Sequence, residues 1–291
     1  MVTIWTPIFP LLCCLFCFIG IVSGYAIGVA LDHLLPVLPI ISEGGILIPE
    51  RGVFGTFINY SAVFWFFTNI CLYLHMKDHV QQHKPHSKVR HFLYVMLFLG
   101  IFSGFGFTLL ANFQLSEDLM VHGLGAIMMF FGGLVFFVCY IVFTLKERQY
   151  TSLWMTIIRM IIIVPAGICV FLQQIFNDNA IIVVAVNGTV PPLPEKVDGI
   201  NRIGFGQPWW LNHLVSSSAE WTVAFLYLIL VGSLAYDLLG CYIVINLNDY
   251  DPRRVKRNVK SSDSDQHGKG TDKVDTKSEE KDDQSSYKSS Y

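Results

Sequence analysis

Long apolar runs along the chain alternate with shorter polar ones. A helix needs roughly twenty apolar residues to cross about 30 Å of hydrocarbon, because backbone polar groups in lipid must be satisfied within the span. Six runs meet that length, at about 8–31, 53–74, 92–111, 119–145, 153–176 and 214–236. They predict an all-α integral membrane protein, with a six-transmembrane-helix bundle over 1–247 and a tail over 248–291. The first run has no Lys or Arg ahead of it, exceeds a signal-peptide apolar region and is followed by no small-residue cleavage pattern. It reads as a retained span.

Composition points the same way. Of the 291 residues, 53% are hydrophobic and 14% are charged, well below the charge of soluble domains. The charges are segregated. Connectors 75–91 and 146–152 hold six Lys and Arg and the tail holds ten, whereas 32–52, 112–118 and 177–213 hold only Arg51, Lys196 and Arg202. The positive-inside rule therefore predicts that both termini are cytosolic; the opposite end is termed outer. The sequon Asn187-Gly188-Thr189 falls in the longest outer segment and is the expected glycosylation site, while Asn59-Tyr60-Ser61 lies inside the second run. The seven cysteines avoid the outer segments and form no disulfide or zinc framework, so they read as small apolar helix residues. The net charge of −2 names no acidic or basic partner, and neither a cofactor nor a nucleic-acid partner is expected.

Gly20, Gly24 and Gly28 on the first span, and Gly100 and Gly104 on the third, recur every four residues. Such spacing lets helix backbones approach closely, and packing inside the bundle is preferred to a homodimer seam. Trp209 and Trp210 read as interfacial anchors before the last span. AIIVVAVNGTV (180–190) carries an Asn-Gly hairpin signal, and Gly44-Gly45 separates PII from ILI. A small β element in the outer loops is expected from these two stretches.

From about residue 248 the chain turns polar, rich in Ser, Asp, Lys and Glu, and is expected to be disordered. Arg253, Arg254, Lys256, Arg257 and Lys260 lie just after the last span. Either they contact anionic cytosolic lipid, at about 1 kcal/mol per charge, or they only enforce orientation. The acidic serines at 261–265 offer phosphorylation sites that would oppose the attraction.

Ionisable residues inside spans are costly and so draw attention. His122, Glu220, Arg159 and Asp237 are such residues, and Asp32, His33, Glu43, Glu50, Arg51 and His213 join the outer group. Three readings of that group are open. A carboxylate or histidine could activate water against a lipid ester; His122, His213 and a glutamate could hold zinc. Alternatively, Glu43, Glu50 and Glu220 could hold Arg51, the histidines and loop amides over the bundle. HExxH, GxSxG and acidic-pair motifs are lacking, and His213 and Glu220 stand two helical turns apart, about 10 Å. The structural network is favoured, with ISEGGILIPERGVFG (41–55) as a shaped lid. For Arg159 and Asp237, separate satisfaction by headgroups and water is preferred to an ion pair. Filter, gating-charge and half-helix patterns are not visible.

Five stretches, taken in order, carry a resemblance: LDHLLPVLPIISEGGILIPERGVFGTFINYSAV (31–63), FSGFGFTLLANFQ (102–114), VHGLGAIMMFFGG (121–133), IIRMIIIVPAGI (157–168) and HLVSSSAEWTVAFLYLILVGSLAYD (213–237). Over roughly 1–245 the chain resembles the damage-regulated autophagy modulator (DRAM) family. That resemblance implies a six-span protein of lysosomes or endosomes that promotes autophagy and has no established catalytic residues. The wider superfamily adds plasma-membrane proteins that help anchor a phosphatidylinositol 4-kinase complex and Golgi proteins of GPI-lipid remodelling. Two features depart from the pattern. Relatives often carry a cysteine before the Phe-Gly of the first loop, where this chain has Gly52-Val53, and the tail lacks a Tyr-x-x-Φ or dileucine sorting signal.

The resulting expectation is a non-enzymatic, multi-pass modulator of autophagy and lysosome function, acting through its bundle and protein partners. The alternatives are a plasma-membrane scaffold for a lipid-kinase complex and a GPI-lipid or phospholipid remodelling factor.

Overall fold

The structure, a computed structural model, describes residues 1–83 and 89–246. Six long helices account for most of it: α1 Ile8–Ala30, α2 Glu50–His83, α3 Val89–Asn112, α4 Leu119–Lys146, α5 Leu153–Asp178 and α6 Trp210–Asp237. All six are long and apolar enough to cross a membrane, and the chain is an integral membrane protein. The described chain divides into Ile4–Ile243, which holds the helices, and a small unit of Met1–Thr3 with residues 244–246. The short strands β1 (Val2–Trp5) and β2 (Tyr242–Ile245) pair as a two-stranded sheet.

Within the helical unit each helix packs on its sequence neighbours, and α6 returns to α1. The glycine repeats seat these contacts inside the bundle. A Cβ on Gly20 would lie 3.1 Å from Ile58 Cδ1, and one on Gly104 would lie 2.4 Å from the Phe66 ring. The main core forms around Trp65, Phe136, Phe137 and Tyr140, with Leu72, Met76 and Val80 of α2 continuing it toward the inner end.

Two elements differ from expectation. Helix α2 begins three residues before the predicted 53 and ends nine after 74. The added turns, HMKDHVQQH, are too polar for a hydropathy window, yet Leu72, Met76 and Val80 form a buried stripe at four-residue spacing that keeps them helical. The stretch around Gly44-Gly45 is a 3-10 helix, Ile41–Gly45, rather than a strand. The remaining outer β structure is two one-pair bridges, Val186 with Thr189 and Val197 with Ile200. Each brackets a turn whose two central residues have positive φ, Asn187-Gly188 (53° and 80°) and Asp198-Gly199 (53° and 82°). Asn and Asp tolerate this left-handed conformation, and Gly adopts it without steric cost. The tail from 248, with its five basic residues and acidic serines, lies outside the described residues.

Candidate functional site

The outer end of the bundle is capped by the loop between α1 and α2, whose centre is the 3-10 helix Ile41–Gly45. Its approach to α1 is backbone against backbone: a Cβ on Gly24 would stand 2.7 Å from the Gly44 carbonyl oxygen. Helix α6 holds the cap from below. Glu220 Oε2 accepts from the Ile41 N–H at 2.9 Å, and Trp221 Nε1 donates to the Pro39 carbonyl at 2.8 Å. The loop between α5 and α6 holds it from the side. The N–H and side-chain amide of Asn201 donate to Glu43 Oε1 at 2.8 and 2.9 Å, and Arg202 Nη2 donates to the Asp32 carbonyl at 3.2 Å.

The carboxylates sit where burial costs most. Glu43, Glu50 and Glu220 are all buried, and Glu43 and Glu50 each keep one oxygen without a described partner. Burial pushes the Glu43 carboxyl up to about 7, against the opposing pull of its Asn201 hydrogen bonds and of the Lys196 charge. Glu50 lies in the first turn of α2, where the helix dipole favours negative charge, and meets His33 Nδ1 at 2.6 Å.

The sequence singled out the other outer residues too, but Arg51, His122 and His213 make no described hydrogen bond to these carboxylates. Arg51 pairs with Glu117, at 2.7 and 3.0 Å, in the loop between α3 and α4. Both side chains are partly exposed, so the pair contributes about 0.2–1 kcal/mol. His122 Nδ1 lies 2.7 Å from the Phe113 carbonyl, closing the same loop. His213 is buried on the first turn of α6, and its carbonyl accepts from the Ser217 hydroxyl at 2.8 Å. Asn187 is exposed at its turn. Among the described residues, no three His, Cys, Asp or Glu side chains are grouped to hold a metal ion. The tryptophans before α6 separate: Trp209 is buried and donates to the Pro191 carbonyl at 3.0 Å, and Trp210 packs edge-on to Phe205.

Under the cap lies a cavity of about 360 Å³ between the helices. Glu220, His122, Ser42 and Lys196 line its outer end, and Trp65, Phe137, Tyr227 and Val231 line its depth.

At the inner end, Arg159 and Asp237 are paired at 2.5 Å, with neither side chain exposed. This corrects the expectation that headgroups and water satisfy them separately. Tyr140 donates to Asp237 at 2.7 Å, Thr151 donates to its other oxygen, and Ser233 takes two donors of Arg159 at 2.8 and 2.7 Å. The Tyr140 ring adds a cation–π contact 5.2 Å from the guanidinium. A signal for the pair was present, since α5 begins and α6 ends at the same face.

Residues 5–240 match the family model described as the Frag1/DRAM/Sfk1/Cwh43P N-terminal domain. The chain belongs to this family. Among Frag1/DRAM relatives, it is 30% identical to DNA damage-regulated autophagy modulator protein 1 of Homo sapiens over 213 residues, covering 70% of this chain and 79% of the relative. It is 26% identical to DNA damage-regulated autophagy modulator protein 2 of Mus musculus over 211 residues, covering 72% and 74%. The Xenopus laevis protein 1 is 27% identical over 212 residues, covering 71% and 79%. No solved structure matches this member of the Frag1/DRAM family.

Proposed function

We propose that this protein is a modulator of autophagy and lysosome function that acts through binding rather than catalysis. It resides in lysosomal or endosomal membranes with both termini in the cytosol. The observation that carries the reading is the family match from residue 5 to 240, which spans all six helices, together with relatives named as autophagy modulators. The arrangement of the outer residues supports the non-catalytic part. Glu43 and Glu220 each accept a loop backbone N–H, and Arg51 is held by Glu117. Side chains placed in this way fix a lid. The cytosolic basic segment Arg253, Arg254, Lys256, Arg257 and Lys260 is proposed to hold anionic lipid.

The test is autophagic flux under starvation in cells that lack the protein, with an internally tagged copy scored against lysosomal and plasma-membrane markers. Reduced flux, restored by a copy on lysosomal membranes, is expected. Unchanged flux overturns the reading, and residence at the plasma membrane moves the protein to the lipid-kinase scaffold class.

A further inference from the structure

The cavity under the cap has dimensions that the lid alone does not require. On α6 its lining runs from Glu220 through Ala224 and Leu228 to Val231, and on α2 from Phe54 to Trp65. Each stretch is eleven residue steps (220 to 231, 54 to 65), or about 16 Å at the helical rise of about 1.5 Å per residue. A hydrocarbon core about 30 Å thick holds two chains end to end, so about 15 Å is the depth of one. The volume of about 360 Å³ lies near the lower end of ligand pockets, which suits one chain and not two. Interiors are close-packed and leave few voids, so a shaft of this size in the native bundle calls for an occupant.

The outer end has its own chemistry. Glu220 gives one oxygen to the Ile41 N–H, and no described residue donates to the other. His122 Nδ1 lies against the Phe113 carbonyl, which can only accept, so Nδ1 carries the proton. In the neutral ring Nε2 is then an acceptor without a described partner. Both residues line the cavity and both offer lone pairs. Neither atom is sealed among side chains, so both acceptors are open to a donor seated in the cavity. Lys196 also borders the mouth, but its charge acts on Glu43.

We propose that the cavity binds a single-chain lipid whose head group donates hydrogen bonds through a hydroxyl or an ammonium, with the chain between α2 and α6 and the head beneath Ile41. The site needs no assumption about autophagy and stands whether or not that reading holds. A lipid seated there ties the cap to the bundle through its head, so occupancy and lid geometry are coupled.

The experiment uses the full chain in nanodiscs and a monoacylglycerol carrying a chain diazirine and an alkyne tag. Illumination is followed by mass-spectrometric mapping of the adducts. Adducts on shaft residues such as Ile58 and Tyr227 are expected, suppressed by excess unlabelled monoacylglycerol or sphingosine; the stronger competitor distinguishes hydroxyl from ammonium. A saturated fatty acid at neutral pH, whose carboxylate only accepts, should compete poorly. Ala224→Leu narrows the shaft and should lower labelling there about tenfold, the scale of overpacking a filled site, while labelling at the outward-facing Phe98 stays constant. Ala126→Leu narrows it from α4 and replaces the first variant if that one does not fold. Adducts confined to outward faces such as Phe98 and Ile161 in the wild-type protein overturn the site. Equal competition by the fatty acid overturns the head-group assignment.

Discussion

Arg159 of α5 and Asp237 of α6 meet at 2.5 Å with both side chains wholly buried, locking the inner ends of two neighbouring helices together. Removing one partner strands a buried charge, at a cost of about 3–5 kcal/mol, whereas replacing both with apolar residues of similar size is often neutral. Arg159→Met and Asp237→Leu should each lower the thermal unfolding midpoint in detergent strongly. The double variant should recover most of that loss. Additive losses would show that the two residues act separately.

Glu220 and Ile41 form the corresponding tie at the outer end. Glu220→Gln keeps a carbonyl oxygen for the Ile41 N–H, and Glu220→Ala leaves the donor buried without a partner. The alanine variant should be less stable by about 1–3 kcal/mol, and the glutamine variant closer to wild type. Limited proteolysis of the cap, read beside the unfolding midpoint, locates the effect. Equal loss in both variants would mean that the carboxylate itself is what matters.

Glu43 makes the cap sensitive to rising pH. Its carboxyl stands at about 7 in the folded protein against an ordinary 4.5. The folded state thus holds the proton more tightly than the unfolded chain does. The resulting stability is fully present below about 4.5 and fades as pH rises through about 7. Its size is a few kcal/mol, since each tenfold gain in proton affinity is worth about 1.4 kcal/mol. The unfolding midpoint should fall between pH 4.5 and about 7, and Glu43→Gln should flatten that slope. A slope unchanged in the variant would assign it to another group.

Asn187 reports which side its loop faces. It is exposed, whereas Asn59 lies inside α2 and exchanges amide hydrogen bonds with Asn112 at 3.0 and 3.2 Å. Glycosidase treatment should shift the mobility of the wild-type protein and of Asn59→Gln, and leave Asn187→Gln unmoved. A shift surviving in Asn187→Gln would count against the orientation.

The five basic residues after the last span give a separate test. Neutralising Arg253, Arg254, Lys256, Arg257 and Lys260 together should weaken binding to anionic liposomes, steeply and in a salt-dependent way, at about 1 kcal/mol per charge. Unchanged co-sedimentation would leave them as topology signals alone.

The spans were legible because an apolar run of that length has only one means of satisfying its backbone in lipid. What hydropathy could not convey was whatever depended on partners. The inner turns of α2 are polar by composition and helical because Leu72, Met76 and Val80 bury one face. Arg51 was visible as an outer cation, but its partner Glu117 stands 66 residues away in another loop, and no local pattern joins them. Asn201 is an ordinary loop asparagine in sequence and becomes the ligand of Glu43 only once the two loops stack. The Asp198-Gly199 turn did carry a readable signal, being the same type of dipeptide as Asn187-Gly188. The pairing of Arg159 with Asp237 was readable as well, from the antiparallel course of neighbouring spans. It was outweighed by the general tendency of long side chains to reach water.

The Gly24–Gly44 contact has a bearing on how genetic data for this family will look. A methyl group on Gly24 would meet the Gly44 carbonyl at 2.7 Å, a separation that folded chains do not tolerate. In a saturation screen Gly24 should reject replacements, alanine included, as sharply as a reacting residue would, and Gly44, whose Cβ would stand 3.0 Å from the Gly24 carbonyl carbon, should be more permissive. Neither carries a functional group. Alleles recovered there would be lesions of assembly, and any attempt to draw an active centre around them would be drawing the seat of the cap on α1.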